Sequence, residues 1–417
     1  MNSNSQRTLA QLRYNFLEFM KSQGYQIIKP DLLISDAFPT TFNVSGGPNF
    51  ADDYLDKFEK QSENIVTIQH CIRHWDYDKV GDGLHLSFFE MGVTTAFNGY
   101  NQKELFQSHM KFLVDTLKFP VESLYITVFG GGNIRGKYFN EDMETMNSWK
   151  SIGIRDENLV LIPQEVPKEI ADKIRNEKGE DFVEREAFVA NAVEPVGGPR
   201  TEIFFDTGKP SICEPKCIPG FCTCGRFIEF WTSVHYICRV TPLPDQRDRQ
   251  GEVILNFEEL PQDTRIYAAG FGLERVLMLL LNKNNICEIE PIPEVASIIL
   301  NRIEGTFNKE IEKHIWAIAE HIRGLTFLLV ENVHELTGKI NRSRKYQYRR
   351  YIKSLLSHIN YLNVQFDFSL LRQLIEKVLD TYLKDFPYNE LYARDTIDIN
   401  AITNELINRM QMINEEF

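Results

Sequence analysis

The sequence predicts an α+β protein, an antiparallel sheet flanked by helices and followed by an all-α C-terminal domain. Three observations carry this. Residues 65–72 form an apolar, β-branched run, and the chain returns through residues 85–91 after a charged, glycine-bearing segment at 74–83, the pattern of two antiparallel strands and a long loop. Further strand-like runs recur up to residue 270. Beyond Asn285 strand alternation disappears, and residues 293–417 read almost entirely as helices. The change of pattern divides the chain into 1–290 and 291–417.

Composition narrows the class. Over 417 residues, 43% hydrophobic and 25% charged residues are an ordinary globular balance that can bury a large core. A net charge of −13 argues against a nucleic-acid coat protein but leaves room for a local basic site. No apolar run reaches the length of a membrane span, and Met1 to Ser5 do not read as a secretory signal, so the expectation is a cytoplasmic protein with no membrane partner. Seven unevenly spread cysteines do not read as a disulfide framework.

In chain order, Leu9, Leu12, Phe16, Phe19 and Met20 recur at helical spacing within 6–24, with Gly24 as the stop. Residues 25–33 read as a strand leading into a loop with Pro39, Gly46, Gly47 and Pro48. The loop at 74–83 is too long for a tight turn, and long structured loops are usually functional. Arg73 closes the strand before it, and His85 and Phe89, four residues apart, share a face of the strand after it. Such a set could hold a nucleotide, phosphates on the charges and base on the ring; it could equally be a hairpin with a core Phe pair and a surface Arg. Residues 102–117 predict a helix and 123–129 a strand. The triple glycine at 130–132 lacks the Lys and Ser/Thr of a phosphate-binding loop and reads as a turn. Residues 133–181 read as peripheral α/β.

Residues 194–203 predict a rigid Pro/Gly loop running into a strand that ends near Asp206. Glu202 and Asp206 share a face, able to steer Mg²⁺ or a substrate ammonium or simply to meet solvent. Cys213, Cys217, Cys222 and Cys224 then crowd one short loop; thiols at this density suit a structural Zn²⁺, with free thiols or a disulfide as alternatives. Cys71, Cys238 and Cys287 lie in apolar contexts as small core residues. After a strand at 226–240, residues 265–275 read as a strand, a Gly270-Phe271-Gly272 turn and the start of a helix at 276–281. Small residues there let backbone pass close to a ligand, and Arg275 adds a fixed positive charge beside a helix N-terminus. Residues 339–353 interleave basic residues with tyrosines, an RNA contact surface or a solvated helix face.

Together these motifs resemble the class II aminoacyl-tRNA synthetases, and among them the alanyl-tRNA synthetase family. Arg73…His85-x3-Phe89 is similar to the class's second motif, and Gly270 to Arg275 to its third. Gly198-Pro199-x-Thr201-Glu202-Ile203-Phe204, Ala319 to Arg323, and Tyr346-x2-Arg349-Arg350 resemble alanyl-family segments, and the likeness spans roughly residues 8–417. It implies a class II-type antiparallel sheet, a catalytic domain at 1–290 that forms aminoacyl-adenylates, and a helical tRNA-recognition-like domain at 291–417. It further implies ATP and Mg²⁺. Arg73 would hold the α-phosphate and His85 the γ-phosphate, Phe89 and Arg275 would sandwich adenine, and Glu90 and Gly272 would complete the nucleotide side. The amino-acid pocket would comprise Val189, Glu202, Glu229, Thr232, Ala268 and Gly270, and a tRNA acceptor stem would meet Asn341, Arg344, Arg349 and Arg350.

The departures fall on the amino-acid side. Ala268 stands where the family has an Asp that grips the α-amino group, Val189 at or beside its pocket Trp, and Thr232 at an Asn. Glu194 and Glu229 are candidate replacements for the lost acid. Gly197, Arg200, Thr207 and Pro210 occupy the positions of a Cys/His metal set found in some members, for which the cysteine loop could stand in. The family's editing and C-terminal domains have no counterpart in these residues. The expected function is ATP-dependent activation of an amino acid to its aminoacyl-adenylate and transfer to a tRNA acceptor end, of the alanyl-tRNA synthetase type but with an altered amino-acid pocket. A relative that passes an amino or carboxylic acid to a carrier protein or small molecule, and a catalytically silent binding module, are the alternatives.

Overall fold

The computed structural model describes residues 7–34, 40–45, 64–165, 187–190, 195–210, 213, 217–221, 224–247, 251–303, 308–335 and 338–415. In chain order its elements are α1 (Leu9–Ser22), β1 (Gln26–Ile27), β2 (Ile65–Ile72), β3 (Phe88–Ala96), α2 (Gln102–Met110), β4 (Leu124–Phe129), β5 (Gly132–Ile134), β6 (Lys137–Phe139), α3 (Met143–Ser151), β7 (Leu159–Ile162), β8 (Phe188–Val189), β9 (Val196–Asp206), β10 (Phe227–Tyr236), β11 (Cys238–Arg247), β12 (Val253–Glu259) and β13 (Ile266–Gly272). Helices follow: α4 (Leu273–Leu280), α5 (Ile292–Leu300), α6 (Lys309–Val330), α7 (Lys339–Leu362), α8 (Phe368–Tyr382), α9 (Tyr388–Leu391) and α10 (Ile399–Asn414).

The large sheet runs β1-β2-β3-β13-β10-β9-β11-β12, with β4 and β8 also on β9 and β7 on β4. Among the described residues only β1/β2 and β4/β7 pair parallel; the others are antiparallel. The α+β expectation therefore holds, with helices alone after Gly272 among the described residues.

Several boundaries differ from expectation. The strand expected at 25–33 narrows to Gln26–Ile27, because Pro30 offers no amide to a ladder. The segment beyond is held by side chains instead, with Asp31 N donating to Gln69 and Leu33 N and Ile34 N to Glu331. The helix from 102 passes at Lys111 into a π-helical turn ending at Thr116. The rigid loop expected from 194 is strand from Val196 onward. Its glycines allow this: a Cβ on Gly198 would overlap the His235 carbonyl where β9 crosses the end of β10. The run at 226–240 breaks at Ile237, and its second part pairs with β12, a hairpin with no clear sequence signal.

One continuous apolar cluster runs from Leu9 to Ile413 and takes in the sheet face, α4, α5, α6 and α8. At its centre lies α6, whose residues from Ala317 to Leu329 are all buried, including Glu320, His321 and Arg323. A helix buried all round must pair its polar groups internally. Arg323 donates to Glu274 Oε1 at 3.0 Å and to the Tyr382 hydroxyl. Gly324 gives α7 its close approach, since a Cβ there would overlap the Tyr351 hydroxyl and press on Phe88.

Candidate active site

A cavity of about 670 Å³ opens over the face formed by β3, β13, β10 and β9. Antiparallel register sets its floor in rows. Arg200, Val234, Ala268 and Thr95 are successive neighbours in one row, and Glu202, Thr232, Gly270 and Val93 in the next. Val189, Val196, Tyr236 and Ile266 make the apolar end, while Arg73, His85, Phe89, Gly272 and Arg275 line the other. Eleven of the twelve residues expected at the nucleotide and amino-acid sites thus share one cavity: Arg73, His85, Phe89, Gly272, Arg275, Val189, Glu202, Glu229, Thr232, Ala268 and Gly270.

Arg73 is fixed at the end of β2, where its amide donates to Ser87 O at 2.9 Å. Its Nε donates to Val44 O at 3.2 Å, and its guanidinium lies 4.9 Å from the Phe89 ring centroid. Burial holds its pKa below the usual arginine value, with the nearby Arg275 adding to the effect. Among the described residues Arg73 has no carboxylate partner within ion-pair distance. Arg275 sits in the first turn of α4, where β13 turns into a helix. It donates to Glu229 Oε2 at 2.9 Å and Glu229 O at 3.0 Å, and Glu229 Oε1 accepts the Thr232 hydroxyl at 2.8 Å.

His85 precedes β3 rather than lying within it. Its Nδ1 meets Asp82 Oδ2 at 2.5 Å. Burial works to raise the Asp82 carboxyl, but hydrogen bonds from the His85 ring and from the Leu84 and His85 amides outweigh it and bring it down to about 2. An ionised Asp82 can only accept, so the Nδ1 proton belongs to His85. Glu202 lies 3.8 Å from Arg200.

Glu90 is a correction. Strand alternation turns it to the face opposite Phe89, where it is fully buried and takes the Arg13 guanidinium at 2.6 and 3.0 Å. It supports α1 and does not line the cavity. Asp206 is likewise remote from the cavity, accepting from Arg226 at 2.9 Å at the far end of β9. Arg344 is a third. It lies on the inward face of α7, fully buried, with Nε on Thr41 O at 2.9 Å and Nη1 on Asn341 Oδ1 at 3.0 Å. The basic run is therefore only partly a surface. Arg350 is half-buried and reaches Asp78 at 3.2 Å, and Asn341 and Arg349 are also half-buried. Glu194 and Cys222 lie outside the described residues.

Sequence reasoning missed Trp75, Lys79 and the cavity position of Arg200. An exposed Trp inside a charged loop was the available signal. The Cys213, Cys217 and Cys224 sulfurs lie within 4.8 Å of one another, Cys217 and Cys224 being 3.5 Å apart. Three thiolates at this separation suit a zinc ion, whose bonds to sulfur are about 2.3 Å.

Residues 11–408 match the family model described as tRNA synthetases class II (A). The chain belongs to that family of class II tRNA synthetases. Within the class it is alanyl-tRNA synthetase-like: its relatives include the alanine–tRNA ligase of Borrelia hermsii, 29% identical over 394 residues that cover 92% of this chain and 58% of the relative. That of Treponema denticola is 28% identical over 370 residues, covering 88% and 55%. The chain thus spans little more than half the length of these relatives. Among solved structures, histidyl-tRNA synthetase of Staphylococcus aureus aligns with 70% of this chain and 69% of its own, at 11% identity and a TM-score of 0.35. No helix among the described residues is long and apolar enough to cross a membrane.

Proposed function

We propose that the chain activates an amino acid with ATP, forming the aminoacyl-adenylate and pyrophosphate, and transfers the acyl group to a tRNA acceptor end. The observation that carries this is Arg73, a cation inside the cavity whose partners are a carbonyl and the Phe89 ring. Such a guanidinium favours an anion in that position. The substrate carboxylate oxygen would attack the α-phosphorus in line, with pyrophosphate leaving. Protein groups mainly position the reactants and stabilise phosphate charge. In this reading Arg73 meets the α-phosphate, His85 the γ-phosphate through Nε2, and adenine lies between Phe89 and Arg275. Adenine binding then displaces Arg73 from the ring it covers. Glu202 and Glu229 are cavity carboxylates with the oxygen chemistry that the Mg²⁺ of ATP takes. Zinc in the cysteine loop would be structural. Asn341, Arg349 and Arg350 would meet RNA, with a cytoplasmic setting and no membrane partner.

The amino-acid end supports an altered substrate. The Ala268 row holds Arg200, Val234 and Thr95 and no acid, so an α-ammonium there would lack a carboxylate in its row. An unpaired buried ammonium is penalised by several kcal/mol, more than the roughly 1–3 kcal/mol per methylene that an apolar pocket discriminates. Val189 in place of a larger ring leaves room for a bigger acid. The test is ATP–pyrophosphate exchange over α-, β- and non-amino acids, with and without tRNA, in the natural protein and in Ala268→Asp. The expected result is that alanine does not rank first and that Ala268→Asp moves preference toward it. Alanine ranking first in the natural protein would refute the altered pocket. Exchange without any aminoacyl-tRNA product would move the acceptor to a carrier protein or small molecule.

A further inference from the structure

The strand that carries Phe89 is short of a backbone partner where it matters. β13 pairs with β3 only as far as Gly272 opposite Met91, because the chain then turns into α4 to place Arg275. On that side the amides at the start of β3 have no strand to meet. A buried amide left unpaired is destabilising. Two buried carboxylates receive them. Glu90 N donates to Glu274 at 3.1 and 3.2 Å. Ser87 N and Phe88 N both donate to Glu320 Oε1, at 2.7 and 2.8 Å.

Glu320 comes from α6, in the C-terminal helical region of the chain, and is fully buried. Its carboxylate also accepts the Ser87 hydroxyl at 2.9 Å and faces His321 Nδ1 at 2.7 Å. The Ser87 hydroxyl lies 2.6 Å from the Tyr351 hydroxyl of α7. His321 Nε2 in turn meets Ser354 at 2.8 Å. The segment gripped in this way touches the nucleotide end on both flanks. His85 lies two residues before Ser87, Phe89 one residue after Phe88, and the Ser87 carbonyl accepts the Arg73 amide at 2.9 Å. Glu320 itself does not line the cavity.

We infer that Glu320 is a positioning residue: through the Ser87 and Phe88 amides it sets Arg73, His85 and Phe89 at the spacing that binds ATP. This rests on the reading of that cavity end as an ATP site. A carboxylate carries a full negative charge toward the convergent amides and accepts on both oxygens, whereas a carboxamide is neutral, accepts on one oxygen and turns an NH₂ to the Ser87 hydroxyl and the His321 ring. Misplacement of reacting groups by about 1 Å can cost up to 10²-fold.

The experiment compares the natural protein with Glu320→Gln, Glu320→Asp and Thr326→Val. Thr326 is a buried residue of the same helix, whose hydroxyl bonds the Ile322 carbonyl at 2.7 Å, and it controls for general loosening of α6. ATP binding is measured by calorimetry and the KM values for ATP and for the acid by pyrophosphate exchange. Glu320→Gln is expected to weaken ATP binding roughly ten-fold or more with the KM of the acid unchanged, and Glu320→Asp to restore part of it. Thr326→Val is expected to lower the melting temperature without moving the ATP KM. If Glu320→Gln lowers only the melting temperature, or raises both KM values alike, the inference is overturned. Should Glu320→Gln fail to fold, Glu320→Asp, which pulls the carboxylate back from both amides, replaces it, and an unchanged ATP KM there overturns the inference. A natural protein that binds no ATP would instead refute the ATP reading itself.

Discussion

Arg73 and Arg275 are both cations at one end of the cavity, but their surroundings differ. Arg275 is neutralised by Glu229 at 2.9 Å, while Arg73 stacks on Phe89 and meets a carbonyl. A desolvated donor facing developing phosphate charge typically contributes 10²–10³-fold in rate. Arg73→Ala and Arg275→Ala are each expected to reduce pyrophosphate exchange by about that factor while circular dichroism stays unchanged. Exchange at the natural rate in either variant would remove that side chain from the proposed ATP site. Both arginines were legible as charges at motif positions, because a strand end and a helix start are local features. The partner of Arg275 was not, since Glu229 is forty-six residues away and only sheet pairing brings it close. Glu90 shows the converse: its motif position suggested the cavity, and strand alternation turned it to Arg13.

Among elements, β9 and the cysteine loop carry the next test. β9 sends Glu202 to the cavity and Asp206 to Arg226, beside the loop. Cys217 is buried with Phe204 and Phe227, so a thiolate set there is shielded from solvent. Protein purified without chelator is expected to carry about one equivalent of zinc, and Cys217→Ser to lower both zinc content and melting temperature. Metal analysis that finds none, with the loop thiols freely titratable, would return the cluster to free cysteines. The crowding of thiols was visible in the sequence because their spacing is short. The geometry came from two strands, β9 and β10, that bracket the loop.

At the scale of the whole molecule, the sheet and the C-terminal helices share one core, and that core holds neutral histidines. Burial pushes His235 and His109 down to about 3, and His70, flanked by Arg13 and Arg323, lies well below its usual value. In the unfolded chain a histidine titrates near 6.5. As pH falls below 6.5 the unfolded state therefore takes up protons that the folded state refuses until about 3. The stability is fully present above 6.5 and is lost as pH falls through that window, at up to ~1.4 kcal/mol per pH unit for each histidine. Urea midpoints are expected to fall between pH 7.5 and 5, and less steeply in His235→Gln. A midpoint that does not change over that range would contradict the buried neutral state.

By itself the sequence determined the class: the strand-loop-strand motif with Arg73, His85 and Phe89, the Gly270–Arg275 segment, and the helices that fill the C-terminal region, although the turn expected at Gly270-Phe271-Gly272 is strand through Gly272 and the helix starts at Leu273. Each is written in local periodicity, turn residues and spacing, which physical chemistry reads within a few residues. Tertiary structure decided which of these residues meet. Register across four strands put Ala268 in a row with Arg200, Val234 and Thr95. Packing of α6 against β3 gave Glu320 the amides of Ser87 and Phe88, 233 and 232 residues away. The inward face of α7 turned Arg344 from a surface charge into a tether on Thr41. Such contacts satisfy buried polar groups whose partners lie hundreds of residues apart, and sequence periodicity carries no signal for pairing at that distance.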